Sequence, residues 1–471
     1  MNAAFTMQIE RFYLGCLAHA SYLVYDQHEA AVIDPQRDVD IYLDRARELN
    51  LQIRWIVETH LHADFVSGHL ELAERTGAAI AIAANSGATY PHWKLHDGDE
   101  LALGNAILKV IATPGHTEES VCILALEAGQ PKAVFTGDTL FIGDVGRPDL
   151  SPSKTPEELA AMLYDSLHEK LLRLPGEAIV YPAHGAGSLC GRSIGDDASS
   201  TIDRERRTNY ALQPMTRAAF VHLLTGDLPP RPAYFQDEVA RNRTGAVNLD
   251  ALPPMPEISA SEFAEVRDAV IMLDTRPWSQ FAAAHIPGSI NIALGGQFAS
   301  WAARILGITD HFILLIAEDS AAIEESRLRL ARVGIENVVG ALAGGILAWI
   351  DAGKPVQSID QIAADDVSGW LESSPRHHIL DVRESAERSA GAITGSISIP
   401  LPELGDRLTG LDRTAAIAVH CRGGYRSAIA CSLLQSAGFT DVLNVAGGFD
   451  AWALANPGGS LQQHDLVPGH G

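Results

Sequence analysis

The sequence predicts an α/β protein of several domains, and three observations carry that prediction. Short apolar runs end in turns that deliver a His or an Asp. A proline-rich stretch interrupts the chain near its middle. Beyond it, the chain repeats itself at a spacing of about 105 residues. A length of 471 residues, at about 150 per domain, suits about three domains. Hydrophobic residues at 46% and charged residues at 20% are ordinary for a globular chain. The formal net charge of −24 opposes phosphate backbones and anionic lipid heads, so nucleic acid and membrane are not expected as partners. No apolar run reaches the ~18 residues that span a bilayer. The segment Met1 to Tyr13 lacks the charged and apolar regions of a secretory signal. Five cysteines, sparse and odd in number, suit free thiols in a reducing, cytoplasmic compartment.

Four apolar runs of the N-terminal part read as buried strands. Trp55-Ile56-Val57 runs into Glu58-Thr59-His60. Ile107 to Ile111 runs into Thr113-Pro114-Gly115-His116. Ala133-Val134-Phe135 runs into Thr136-Gly137-Asp138. Ala178-Ile179-Val180 runs into Tyr181-Pro182-Ala183-His184. Strand ends that deliver polar residues into loops are how α/β folds build sites. Thr225 to Pro256, with Pro229, Pro230, Pro232, Pro253, Pro254 and Pro256, reads as a linker or irregular wrapping segment. The repeats follow: Leu273-Asp274-Thr275-Arg276 matches Leu380-Asp381-Val382-Arg383, and Ala343-Gly344-Gly345 matches Ala446-Gly447-Gly448. Each copy alternates strand-like and helical stretches, as small α/β units with parallel sheets do. The expected domains are 1–250, 251–357 and 358–471.

The N-terminal domain concentrates metal-ligand chemistry. Thr59-His60-Leu61-His62-Ala63-Asp64 puts two imidazoles and a carboxylate on one loop, and His116, Asp138 and His184 follow at strand ends. Imidazole with carboxylate suits zinc or iron. The set resembles the metallo-β-lactamase superfamily over residues 10 to about 200, which implies an αββα sandwich. One departure matters: the last His of that family's first motif is Phe65 here, and the next His is His69. A phenyl ring cannot ligate, so the second metal position of the dinuclear members loses a ligand. The persulfide dioxygenase branch of the superfamily is mononuclear with iron. Its resemblance implies His60, His116 and Asp138 as ligands of one Fe(2+) per chain, with His62, Asp64 and His184 near the metal. Gly143-Asp144-Val145-Gly146-Arg147-Pro148-Asp149 resembles a segment of the same branch. Arg147 is either a contact for a substrate carboxylate or an ion-pair partner of Asp149. Tyr181 either lines the persulfide pocket or closes its strand end. Cys190, six residues past His184, either faces the metal pocket and meets sulfane sulfur or packs as a small hydrophobe; Cys16, Cys122 and Cys431 read as core. Asp203 to Arg207 reads as a solvated helical face, with an anionic thiol as the alternative occupant of its arginines.

In the second repeat a strand ends at Val419-His420-Cys421, and Arg422-Gly423-Gly424-Tyr425-Arg426-Ser427 leads into a helix from Ser427 to Ala437. Inward N–H groups at the glycines, the helix N-terminus, Arg422 and Arg426 all favour a Cys421 thiolate. The six-residue loop from Cys421 to Arg426 resembles the rhodanese sulfurtransferases, which implies a Cys421 persulfide assisted by Arg422 and Arg426. Asp381 and Arg383 match a scaffold signature of that family. The first repeat has Ile316-Ala317-Glu318-Asp319 at the corresponding place, and no Cys occurs from residue 191 to 420. That copy reads as a silent spacer and a candidate surface for self-association into a homo-oligomer.

The whole order resembles the persulfide dioxygenase–rhodanese fusions of sulfide detoxification. It implies oxidation of a low-molecular-weight thiol persulfide with O2 to sulfite, joined to sulfur transfer that forms thiosulfate or runs in reverse. The alternative is a dinuclear zinc thioester hydrolase of the glyoxalase II type fused to a sulfurtransferase.

Overall fold

The computed structural model describes residues 6–456 apart from 152, 227, 229, 309 and 310, so Pro229 lies outside the described residues. The chain separates into two compact units. One holds Met1–Leu252 with Ala302–Ile308 and Leu328–Glu336. The other holds Pro253–Trp301, Thr309–Arg327 and Asn337–Gly471.

The first unit contains two six-stranded sheets. One runs Gln8–Leu14, His19–Asp26, Glu29–Ile33, Gln52–Val57, Ala79–Ala83, Trp93–Leu95. The other runs Ser200–Thr201, Ile179–Pro182, Gln130–Gly137, Val121–Glu127, Ala106–Ala112, Glu100–Leu103. Alternation along the strands sets the layers. Tyr22, Val24, Ala31 and Ile33 of the first sheet meet Leu108, Val110, Ile123 and Phe135 of the second in one core. The opposite faces are covered by helices. Leu23, Val32 and Ile56 pack against Tyr42 of helix Asp40–Glu48 and Leu72 of helix His69–Thr76. Leu124, Val134 and Val180 pack against Leu163 of helix Pro156–Asp165 and Phe220 of helix Arg217–Thr225. The result is the expected αββα sandwich. The four apolar runs lie in strands, three of them in the second sheet, with Ala178 just ahead of its strand.

The proline-rich stretch is more ordered than its composition suggests. It forms a helix, Phe235–Thr244, that buries Phe235, Glu238 and Asn242. Its described prolines lie outside the helix and so interrupt none of its hydrogen bonds.

In the second unit each repeat has a five-stranded sheet. The strand orders are Glu257–Ile258, Val338–Leu342, Ile313–Ile316, Ile271–Asp274, Ile290–Asn291 and Asp360–Ile362, Val442–Val445, Ala416–His420, His377–Asp381, Ile397–Ser398. Every pairing in both is parallel. The repeated Asp-x-Arg is a buried fork in both copies. Arg276 holds Asp274 at 2.5–3.1 Å and Ala284 O at 3.0 Å; Arg383 holds Asp381 at 2.7–2.9 Å and Gly391 O at 2.7 Å. It ties the strand next to the central one in each sheet to the end of the helix that follows it.

Candidate functional site

The loops at the strand ends of the sandwich bring His60, His116 and Asp138 together, with one ligand atom of each within 4.8 Å of the others. All three are buried. His60 follows strand Gln52–Val57, His116 follows Ala106–Ala112, and Asp138 follows Gln130–Gly137. The tautomers are fixed from behind. The Thr59 hydroxyl donates to Asp34 Oδ2 at 2.9 Å, leaving its oxygen to accept from His60 Nδ1 at 3.0 Å. His116 Nδ1 donates to Arg147 O at 3.0 Å. Both Nε2 lone pairs therefore face Asp138 Oδ2, at 3.7 and 3.4 Å. Ligands about 2.1 Å from one ion stand roughly 3.0–3.4 Å apart, so the three atoms need only a small adjustment to share a cation. Asp138 Oδ2 has no hydrogen-bond partner, which a buried carboxylate oxygen tolerates poorly unless a cation meets it. Burial holds His60 and His116 below the usual imidazole range, as neutral ligands require. Burial opposes the Asp138 charge, yet the His184 imidazolium beside it keeps its carboxyl well below the usual carboxylate range. Two imidazoles and one carboxylate on one side of an ion, with other positions open, form the ligand set of non-haem iron oxygenases.

Gly146 shows why the segment after Asp138 reads as it does. A Cβ there would lie 1.9 Å from Asp138 O and 2.8 Å from His116 Nδ1. Only glycine lets the chain pass close enough for Arg147 O to orient His116.

His62 is turned away from this group. Its Nε2 lies 3.1 Å from Asp34 Oδ1 and 3.3 Å from Glu58 Oε2. Burial alone would lower its pKa, but Asp34 and Glu58 push it up to about 10, and a protonated imidazole has no lone pair to give. Burial opposes the Glu58 charge, but His62 and His69 draw its carboxyl down to about 2. Asp34 and Glu58 carry no metal-motif signal in sequence, and they are what withdraws His62.

Asp64, His184 and Cys190 form a second buried group within 4.8 Å. His184 Nδ1 donates to Asp138 Oδ1 at 2.7 Å, and Nε2 stands 2.9 Å from Asp64 Oδ2. Burial disfavours a charged His184, and the two carboxylates outweigh it and raise its pKa well above the ordinary value. Burial, with Asp64 and Asp138 nearby, pushes the Cys190 thiol up. Cys190 thus faces the site.

Two candidates belong elsewhere. Arg147 is committed to Asp149 through a two-pronged pair at 2.7 and 2.8 Å and also meets Leu189 O at 3.3 Å. Its charge is countered inside the fold, as the ion-pair alternative had it. Tyr181 stacks on Phe135 at 5.5 Å and sits 5.3 Å from Tyr22, half-buried against the core between the sheets. Cys16 is half-buried, not core; Cys122 and Cys431 are buried. The Asp203–Arg207 run is a charged helical face, as Arg206 pairs with Asp203 and Arg204 with Asp197. Glu205 is the exception: it turns inward to Gly143 N at 2.8 Å and Ser200 Oγ at 2.5 Å.

Asn242, on the helix of the proline-rich stretch, is a site residue without a sequence signal. Its amide donates to His62 O at 2.8 Å and Phe65 O at 2.7 Å, and its oxygen accepts from Ser67 N at 2.9 Å. It clamps the loop that carries His60, His62 and Asp64.

In the second unit Cys421 follows strand Ala416–His420, and Gly424 N donates to its sulfur at 3.1 Å before helix Tyr425–Ser436 begins. Gly448 explains part of the repeated Ala-Gly-Gly. A Cβ there would lie 2.6 Å from the carbonyl oxygens of both Cys421 and Arg422. Arg426 is held by Glu387 at 2.6 and 2.7 Å, and Arg422, largely exposed, by Asp450 at 3.2 Å. Both arginines therefore reach the loop already paired. In the first repeat, Asp319 accepts from Ala322 N at 2.8 Å and caps helix Ser320–Ala331. Ala317 stands where the other copy has its thiol, one residue past Ile316, which pairs with Asp274 as His420 pairs with Asp381.

Comparison with known proteins follows the same division. The family model "Metallo-beta-lactamase superfamily" matches residues 14–184, and "Rhodanese-like domain" matches 259–352 and 363–455. The chain is similar to "Persulfide dioxygenase ETHE1, mitochondrial" of Bos taurus, 31% identical over 229 residues, 47% of this chain and 82% of that one. It is also similar to a "Hydroxyacylglutathione hydrolase" of Francisella philomiragia, 33% identical over 218 residues, 46% of this chain and 81% of that one. Among solved structures, a metallo-beta-lactamase from Staphylococcus aureus superposes with a TM-score of 0.64 at 30% identity, over 72% of this chain and 98% of that one. Among the described residues no helix is long and apolar enough to cross a membrane.

Proposed function

The chain belongs to the metallo-β-lactamase superfamily with two rhodanese-like domains behind that fold, and on that premise we propose that it is a non-haem iron persulfide dioxygenase coupled to a sulfurtransferase. The reaction is RSSH + O2 + H2O → RSH + H2SO3, with RSSH a low-molecular-weight thiol persulfide. The observation that carries the reading is the His60–His116–Asp138 group together with the withdrawal of His62. Three residues would hold one ion, and Phe65 supplies no ligand.

Iron(II), when bound there, supplies open coordination positions and redox chemistry toward O2. The chain supplies the rest. His60 and His116 are kept neutral and aimed by Thr59 and the Arg147 carbonyl. Asp138 offers Oδ2, while His184 holds its Oδ1. Asn242 keeps the motif loop from shifting. In the second rhodanese-like domain, the Cys421 thiolate attacks the outer sulfur of RSSH, releasing RS⁻ and forming Cys421–SSH. Sulfite then takes that sulfur as thiosulfate and restores the thiolate, or the steps run in reverse. Gly424 N–H stabilises negative charge on the Cys421 sulfur.

The hydrolase relative makes thioester hydrolysis the competing activity. Full-length protein purified without oxygen is given glutathione persulfide, and O2 uptake and sulfite are measured beside hydrolysis of S-lactoylglutathione. O2 consumption matched by sulfite is expected. Thioester hydrolysis without O2 uptake would overturn the reading.

A further inference from the structure

We propose that the first repeat, which lacks the loop cysteine, supplies positioning residues to the metal group of the sandwich: Arg332 and Glu336 hold the chain segments that aim His60. This rests on the reading of His60, His116 and Asp138 as a metal position, and not on which metal or reaction that position serves.

The first unit is more than the sandwich, because Leu328–Glu336 of the first repeat belongs to it. Two segments of the sandwich meet that stretch. One is residues 34–38, after strand Glu29–Ile33; the other is the motif loop, residues 59–68, after strand Gln52–Val57. The two are packed on each other. Asp34 takes Thr59 N–H at 2.7 Å and the Thr59 hydroxyl at 2.9 Å, and that hydroxyl oxygen accepts from His60 Nδ1. Pro35 O accepts from the Ser67 hydroxyl at 3.0 Å. A Cβ on Gly68 would lie 2.4 Å from Gln36 O, so only glycine lets the segments approach this closely.

Arg332 reaches both segments. Its carbonyl accepts from Val66 N at 2.8 Å. Its guanidinium holds Asp38 with two prongs, each at 2.8 Å, which fixes direction as well as distance. Glu336 adds a second tie. One of its oxygens accepts from Arg37 Nη2 at 2.8 Å and the other from Arg241 Nη1 at 2.9 Å. Arg241 precedes Asn242, the residue that fixes His62 O and Phe65 O. The side chain of Arg37 is 2% exposed and that of Arg332 12%, so these pairs escape the solvent screening that makes surface ion pairs weak.

The second repeat shows that the rhodanese-like fold does not itself require these charges. Val338 pairs with Ile313 as Val442 pairs with Ile417. Gly334 and Gly438 both have a left-handed φ, 69° and 92°. Arg332 and Glu336 therefore stand where the second repeat has Ser436 and Thr440. The copy that keeps its thiol has two neutral hydroxyls here. The copy without a thiol has the charges that meet Asp38, Arg37 and Arg241. The first repeat is thus more than a spacer: through residues 34–38 it sets Asp34, and through Asp34 and Thr59 it sets the ring of His60. Loss of such a support behind a ligand typically costs metal affinity about tenfold or more.

The test uses the full-length chain, stripped of metal with a chelator, and reads amide hydrogen exchange by mass spectrometry and then Co²⁺ affinity without oxygen. Arg332→Ala keeps the carbonyl that takes Val66 N–H and removes the hold on Asp38. It is expected to speed exchange across residues 59–68 by about tenfold or more and to weaken Co²⁺ binding about tenfold, with exchange in strand Ala416–His420 unchanged. Glu336→Gln is expected to act in the same direction. Arg332→Lys keeps the charge and is expected to recover much of the protection. Arg217→Ala breaks a pair with Asp165 elsewhere in the same unit and is expected to change neither reading. Unchanged exchange over residues 59–68 in Arg332→Ala and Glu336→Gln, or faster exchange spread equally to Ala416–His420, would overturn the proposal. So would faster exchange with unchanged Co²⁺ affinity. A parent chain that binds no Co²⁺ would overturn the metal reading itself, and exchange in the metal-free chain would still decide whether Arg332 and Glu336 hold the loop.

Discussion

Asn242 offers a direct test of how the site is held. Its side chain is 2% exposed and makes three hydrogen bonds to the loop from His62 to Ser67. Asn242→Ala leaves two buried carbonyls and one N–H without partners. At about 1–1.5 kcal/mol for each such loss, the cost is roughly 3–5 kcal/mol. Asn242→Asp is the sharper variant, because it has the same shape. Its carboxylate still accepts from Ser67 N, but its second oxygen faces His62 O and Phe65 O at donor distance and can donate to neither. The expected cost is at least that of Ala, since repulsion and a buried charge add to the lost bonds. Urea unfolding of the metal-free protein, followed by fluorescence that includes Trp55 and Trp93 of the first unit, reads this cost. An Asn242→Asp protein within about 1 kcal/mol of the parent would refute the clamp.

Cys421→Ser should lower thiosulfate-forming activity by more than about 100-fold, because serine is a far weaker sulfur acceptor, and should leave persulfide-dependent O2 uptake in place; equal loss of both would break the division of labour. Gly448→Ala should unseat the Cys421 loop, since the new Cβ meets two backbone oxygens at 2.6 Å from a left-handed φ of 61°; the loss is read as sulfurtransferase activity and a cost of about 1–3 kcal/mol. Glu238 is buried with both carboxylate oxygens unpartnered, and burial raises its pKa well above 4.5. The folded state therefore holds a proton that the unfolded state releases, so stability falls as pH climbs from about 4.5 towards the folded pKa. Glu238→Gln should stabilise the protein at pH 8 and change its stability little at pH 4.5, measured by chemical denaturation at both values.

The legible parts of the molecule were those encoded locally. Val57, Ile111, Phe135 and Val180 lie at or near the ends of apolar runs that became strands, and the residues after them became the site. The Cys421 loop was legible because sulfur, glycines and arginines are adjacent in sequence. What was hidden depends on tertiary partners. His62 looks like a ligand until Asp34 and Glu58, from other positions in the chain, capture it. Helix Phe235–Thr244 was hidden because prolines dominate the composition around it, and Asn242 with it. Arg147 had two readings, and the carboxylate of Asp149 is the partner the structure gives it. The charges of Arg422 and Arg426 were visible, but not the carboxylates Asp450 and Glu387 that meet them.

Metal content reaches the central claim most directly. The chain is purified without oxygen and analysed for its elements beside His116→Ala. About one iron per chain, absent from His116→Ala, is expected. Zinc in place of iron, or iron retained by His116→Ala, would contradict the assignment of His60, His116 and Asp138.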